Sequence, residues 1–156
     1  MGQRAIAAVS EALRDILAET LLVEPALVEA TDRVLLASPS DMPHDRHTRL
    51  CVFLYRIHEH ALSRAEAMHI QGPLGFVLSY LIVPVGPDTT QCQLILGRVL
   101  RALHEHSTLQ VPEAGGELQV MPLRHSLEEA AQLWRALDAP YQCGLCYEVR
   151  IVKVGD

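Results

Sequence analysis

The stretch from Leu50 to Ile57 constrains this chain more than any other. Cys51, Phe53, Tyr55 and Ile57 fall on one side of an alternating pattern, and Leu50, Val52, Leu54 and Arg56 on the other. Successive side chains of a strand point to opposite faces. Here both faces are largely apolar, so the segment predicts a central strand. A second strand is predicted from about Leu74 to Val83, rich in Phe, Val, Tyr and Ile, with Pro84 placed to end its pairing because proline has no N–H to give.

Helical spacing appears elsewhere. Between Gln3 and Thr20, residues Ile6, Val9, Leu13, Ile16 and Leu17 line one face, with Arg4, Glu11, Arg14 and Asp15 on the other. After Asp88 or Thr89 as cap, Leu96, Val99, Leu100 and Leu103 recur at i, i+3, i+4 and i+7, predicting a helix that ends near His106. Ser126 to Glu129 fits a capping box, in which the serine side chain and the glutamate satisfy each other's free backbone donors. The helix it opens carries Leu133, Trp134 and Leu137, with Trp134 as a core or interface anchor.

Shorter strands are predicted at Val34 to Leu36, running into the loop at Ser38 to Asp41, and at Glu117 to Arg124 after the Gly115-Gly116 turn. The last strand runs from Leu145 to Val154, with Leu145, Tyr147, Val149 and Ile151 on one side and Glu148 and Arg150 on the other. Strands interspersed with three helices, without regular βαβ repetition, predict an α+β fold. Its sheet would be mainly antiparallel, with the helices on one face. At 156 residues, 1–156 reads as a single domain able to bury its own core.

The charge balance narrows the partners. Nineteen acidic against thirteen basic residues give a net charge of -6, a field that repels nucleic acid and anionic membranes. The start has no export signal, and the apolar run Leu74 to Val85 is too short for a membrane span. The expectation is a soluble chain made in the cytoplasm, without nucleic acid or membrane partners.

Candidate chemistry is sparse. Cys143-Gly-Leu-Cys146 has CxxC spacing, yet strand alternation follows it where a redox pair needs a helix start. Of the histidines at 44, 47, 58, 60, 69, 104, 106 and 125, His104 and His106 diverge on a helix, and only His58 and His60 would share a strand face. No nucleophile motif or phosphate loop is present, and Gly97 lies inside a helix, where it reads as a site of close packing. No catalytic residue, cofactor, metal or small-molecule substrate is therefore expected.

The ordered signatures carry more. Ile6-Ala-Ala-Val-Ser-Glu-Ala-Leu, Cys51-Val-Phe-Leu-Tyr-Arg-Ile, Gly72-Pro-Leu-Gly-Phe-Val-Leu-Ser-Tyr-Leu, Leu96-Gly-Arg-Val-Leu-Arg-Ala-Leu-His, Leu127-Glu-Glu-Ala-Ala-Gln-Leu-Trp-Arg-Ala-Leu, Pro140-Tyr and Tyr147-Glu-Val-Arg-Ile-Val follow one another along nearly the whole chain. Together they resemble the N-terminal domain of the tail-terminator (cap) family of extracellular contractile injection systems, of the Photorhabdus virulence cassette and antifeeding prophage type. The resemblance implies a phage tail-terminator-like α+β fold. It also implies a subunit that forms a ring, a hexamer, at the baseplate-distal end of tube and sheath, ending polymerisation and anchoring the sheath. Tube and sheath subunits are then the partners, and assembly takes place in the cytoplasm, as part of a particle that can be released.

Ring closure needs two different complementary patches on each protomer. Exposed strand edges and loops are the natural candidates, which points to Arg46 and Arg49 in one loop and to Tyr147, Arg150 and Val152 on the C-terminal strand. Two other readings stay open: a protein-binding adaptor of the same fold that caps nothing, and a metal-dependent enzyme using residues such as His58 or Cys143.

Overall fold

The computed structural model describes residues 3–60 and 74–154. Helix α1 (Ala5–Leu22) comes first, followed by a 3-10 turn at Thr31–Arg33 and the two-residue strand β1 (Val34–Leu35). Strands β2 (Arg49–His60) and β3 (Leu74–Val85) are the two long strands that the apolar pattern predicts, and they pair antiparallel. Helix α2 (Thr89–Glu105), strands β4 (Thr108–Val111) and β5 (Gly116–Pro122), helix α3 (Leu127–Ala136) and strand β6 (Leu145–Val154) complete the described chain. β2 continues past Ile57 through His58 to His60.

One six-stranded sheet runs in the order β1-β2-β3-β6-β5-β4. All its pairs are antiparallel except β1 with β2. Both faces are covered, which corrects the expectation of helices on one face. Leu50, Val52, Leu78, Tyr80 and Ile82 pack with Leu13 and Leu17 of α1 and with Ile95, Val99 and Leu103 of α2. Their strand neighbours Cys51, Leu81, Val83 and Val85 pack with Trp134 of α3. The physical reason is visible in β2 and β3: strands apolar on both sides expose one apolar face unless each side receives its own layer.

Three further expectations are corrected. A bulge at Tyr55 breaks the register between Leu54 and Arg56, so beyond it the faces swap. Ile57 stands opposite Leu78 of the α1–α2 face rather than alongside Cys51 and Phe53, and it is half exposed. Pro84 lies within β3, opposite Leu50. β6 begins at Leu145, opposite Ile82, so one side of β3 at Pro84 has no ladder strand and a missing N–H is tolerated there.

The third concerns α2. Its buried residues are Ile95, Val99, Ala102 and Leu103, while Leu100 is 46% exposed. The stripe is thus rotated from the predicted one, because Ile95 and Ala102 fit the ground above the sheet that Leu100 was expected to take. Gly97 serves no close packing, since a Cβ there would meet nothing within 4 Å. Both predicted caps form: the Asp88 side chain accepts from the Gln91 N–H at 3.1 Å, and Ser126 and Glu129 exchange bonds of 3.1 Å each.

Candidate assembly surfaces

The loop before β2 is latched by charge. Arg49 is 8% exposed, and its guanidinium donates to both carboxylate oxygens of Asp45 at 2.6 and 2.9 Å. This fork holds the Asp45 carboxyl well below the usual range, helped by the His47 N–H, which donates to Asp45 Oδ1 at 2.8 Å. His47 Nδ1 lies 3.2 Å from a Glu29 oxygen, and Arg33 donates to the same carboxylate at 3.3 Å, so the Glu29 carboxyl is also held low, chiefly by His47. Arg49 is therefore spent inside the protomer. Arg46, between the latched residues, is exposed.

The last strand is not an edge. β6 lies between β3 and β5, with Tyr147 opposite Tyr80 on one side and Pro122 on the other. Tyr147 is 4% exposed and belongs to the α1–α2 core, and burial raises its hydroxyl pKa. Its side chain is thus turned inward rather than toward a neighbour, because the sequence-last strand inserts between earlier ones. Arg150 faces the other way, half-buried, with a guanidinium nitrogen 3.5 Å from Glu148 Oε1. Val152 is within β6, and its side chain lies outside the described residues.

The free edges are elsewhere. β1 pairs with Leu50 and Cys51 alone, so among the described residues Val52 to His60 has no strand on that side of β2. An unpaired row of backbone donors and acceptors is a template for another chain. Arg56 and Glu59 stand exposed along it. Sequence reasoning missed this edge, although one signal was there: an apolar run as short as Val34-Leu35-Leu36 covers only a fraction of a long neighbour.

Two hollows open on the helical side. One, of about 420 Å³, is lined by Pro25, Leu94, Gly97, Arg98 and Arg101. It adjoins a second hollow of about 370 Å³ at Val23 and Glu24, where Arg98 donates to the Val23 carbonyl at 2.9 Å. A separate groove, of about 430 Å³, lies between Leu100, Pro122, Leu127 and Tyr141. Tyr141 packs edge-on against Trp134, with ring centroids 6.1 Å apart.

Several polar side chains tie elements of the protomer together. Tyr55, at the bulge, lies 3.0 Å from His125 Nε2, and His125 Nδ1 is 3.6 Å from Glu129, which ties β2 to the start of α3. Burial raises the Tyr55 hydroxyl, as it does that of Tyr80, pushed up to about 12 and bonded to Ser10 at 2.7 Å. All four cysteines are free. Burial pushes the Cys51 thiol up to about 12 and also raises Cys92 and Cys146, the reverse of what a thiolate nucleophile needs. Cys143 precedes β6 while Cys146 is inside it, so the CxxC does not sit at a helix start. His58 is on β2, and the His60 side chain lies outside the described residues. Among the described residues no group of three or more His, Cys, Asp or Glu side chains is placed to hold a metal ion, and no helix is long and apolar enough to cross a membrane.

The comparisons with known proteins agree with this architecture. The model of the Pvc16 N-terminal domain family matches residues 8–156, and the chain belongs to that family. Among solved structures it is similar to a sheath/tube terminator of an extracellular contractile injection system, PVC, in the extended state, with 24% identity and a TM-score of 0.61. That match covers 100% of this chain and 59% of the other. It is also similar to the anti-feeding prophage tube-terminating cap, with 22% identity and a TM-score of 0.60 over 95% of this chain and 55% of that one. The chain thus spans less than two thirds of the length of the solved chains it matches. No curated protein sequence matches it with significance.

Proposed function

We propose that this member of the Pvc16 N-terminal domain family is a non-enzymatic cap subunit of a contractile injection particle. It ends the tube and sheath at the end remote from the baseplate, as one protomer of a homo-oligomeric, hexameric ring. Residues 1–156 act as a single structural domain in this reading. The observation that supports it most is the shared fold of the whole chain with two terminator caps, combined with membership of the family.

A structural role suits the protomer. The Ser10–Tyr80 and Tyr55–His125 bonds tie helices to the sheet, and the thiols that burial raises are poor nucleophiles at neutral pH. Arg46 and Arg150 remain the proposed charged contacts to sheath or tube, with Val152 beside Arg150 on β6. Arg49 and Tyr147 support those contacts from within, by latching the loop and by filling the core. Assembly takes place in the cytoplasm before the particle is released.

Tubes polymerised with and without the purified chain test the reading by electron microscopy. Capped ends and a defined tube length are expected only when the chain is present. Tubes of unchanged length with bare ends would refute it.

A further inference from the structure

Along the free side of β2, from Val52 to His60, the side chains on either side of the Tyr55 bulge sort by chemistry. Arg56 stands opposite Ser79 and His58 opposite Val77, on the same side of the sheet as Leu81. Leu54 and Ile57 stand opposite Tyr80 and Leu78, on the α1–α2 side, where Leu54 is half-buried and Ile57 is 47% exposed. Glu59 follows on that side, opposite Phe76. The edge is therefore basic on one side and mainly apolar on the other.

The basic side is short of acceptors. Arg150 also stands opposite Val77, and Glu148 opposite Ser79, and the two rows continue to Gln119 and Met121 on β5. Glu148 is thus the one carboxylate in two rows that hold Arg56, His58 and Arg150. Its oxygen lies 3.5 Å from Arg150, while Arg56 makes no ion pair among the described residues. Arg150 Nε and His58 Nδ1 are buried without a hydrogen-bond partner among those residues. A guanidinium stays charged and carries donors only, so its missing acceptors must come from outside the protomer.

We infer that the Val52–His60 edge seats an extended acidic segment of another protein. That segment adds to the sheet as a strand. Its backbone pairs with the unpaired row of β2, its carboxylates meet Arg56 and His58, and its alternate apolar side chains cover Leu54 and Ile57. A strand period of two meets both requirements at once. A second copy of the chain fits less well, because β4, the other edge of the sheet, offers only Thr108–Val111, four residues with no carboxylate. In the capping reading, on which the partner's source rests, the acidic segment belongs to another subunit of the particle.

The test titrates the full chain with a synthetic peptide of alternating Glu and Val, blocked at both ends and as long as the edge. Saturable binding is expected, weakened by salt, with amide exchange slowed in Val52–His60. A peptide with Lys in place of Glu should not bind, and N-methylation of the peptide backbone on its pairing side should abolish binding. Arg56→Glu, at an exposed position, should keep its melting temperature and weaken binding of the Glu peptide about tenfold. Equal binding of the Glu and Lys peptides would overturn the charge argument. Binding that survives N-methylation or leaves β2 exchange unchanged would overturn strand addition. Self-association that protects the same amides without peptide would assign the edge to a second copy and overturn the inference. Tube capping is scored separately: peptide binding with bare tubes refutes the capping reading alone, and capped tubes without peptide binding refute the seat alone.

Discussion

Beneath α1 and α2 the sheet buries 26 described residues, nearly all aliphatic, whereas the buried set beneath α3 has six: Met42, Cys51, Leu81, Val83, Val85 and Trp134. The two faces of one sheet therefore carry different loads. The large face is broad and almost wholly apolar. The small face seats a ten-residue helix through Trp134 with the half-buried Leu133 and Leu137 beside it, a capping box and the Tyr55–His125 bond. Hydrophobic stabilisation grows with the apolar area removed from water, so global stability should reside on the first face and local opening on the second.

The strongest way to break this comparison is to open the large core. Leu13→Ala and Leu17→Ala, both fully buried, should each cost about 2–5 kcal/mol in chemical denaturation, with the whole protein unfolding in one transition. Trp134→Ala should come next, at about 3 kcal/mol. Its signature should differ: amide exchange in α3 should accelerate while α1 stays protected. Equal acceleration in both helices would mean that the two faces form one cooperative unit.

Ser126→Ala should cost about 1 kcal/mol by removing the α3 cap, again with the loss confined to α3 exchange. In the opposite direction, Gly97→Ala should stabilise the protomer by roughly 0.5–1 kcal/mol, because a methyl there meets nothing and helical glycine is entropically costly. An unchanged midpoint would contradict the open environment at residue 97.

Acid separates the faces in another way. The carboxyls of Asp45 and Glu129 are held low, the first chiefly by Arg49 and the second chiefly by the Ser126 N–H. A carboxylate with a folded pKa below its unfolded one stabilises fully above the unfolded value, about 4, and loses that contribution as pH falls through the folded value. Glu129→Gln should flatten the acid sensitivity of α3 exchange, and Asp45→Asn that of the loop before β2. A variant as acid-sensitive as wild type would exclude that carboxylate from the effect.

Local chemistry was legible in advance. The Ser126–Glu129 capping box, the Asp88 cap, the strands at Leu50 and Leu145 and the helix at Trp134 depend on residues within a few positions of one another, so their pattern survives any tertiary arrangement. Strand β4 was missed, because four residues of alternating Thr, Leu, Gln and Val after a helix give too short a pattern to separate from a loop. The assembly residues were read less well. Arg49 looked free, since sequence does not reveal that Asp45 turns back to meet it, and Tyr147 was assigned to an edge because β6 is last in the chain.

By itself the sequence determined what each segment becomes, through the period of its apolar residues and the chemistry of its caps, and it pointed by resemblance to the family to which the chain belongs. Only the tertiary structure decided which neighbour each segment meets. The bulge at Tyr55 swaps the faces of β2, β6 enters between β3 and β5, and the sheet accepts Ile95 and Ala102 in place of Leu100. Register and strand order are set by pairings between residues far apart in the chain, and no local period encodes them. For the same reason Leu100 reads as core in the sequence and stands at the surface in the fold.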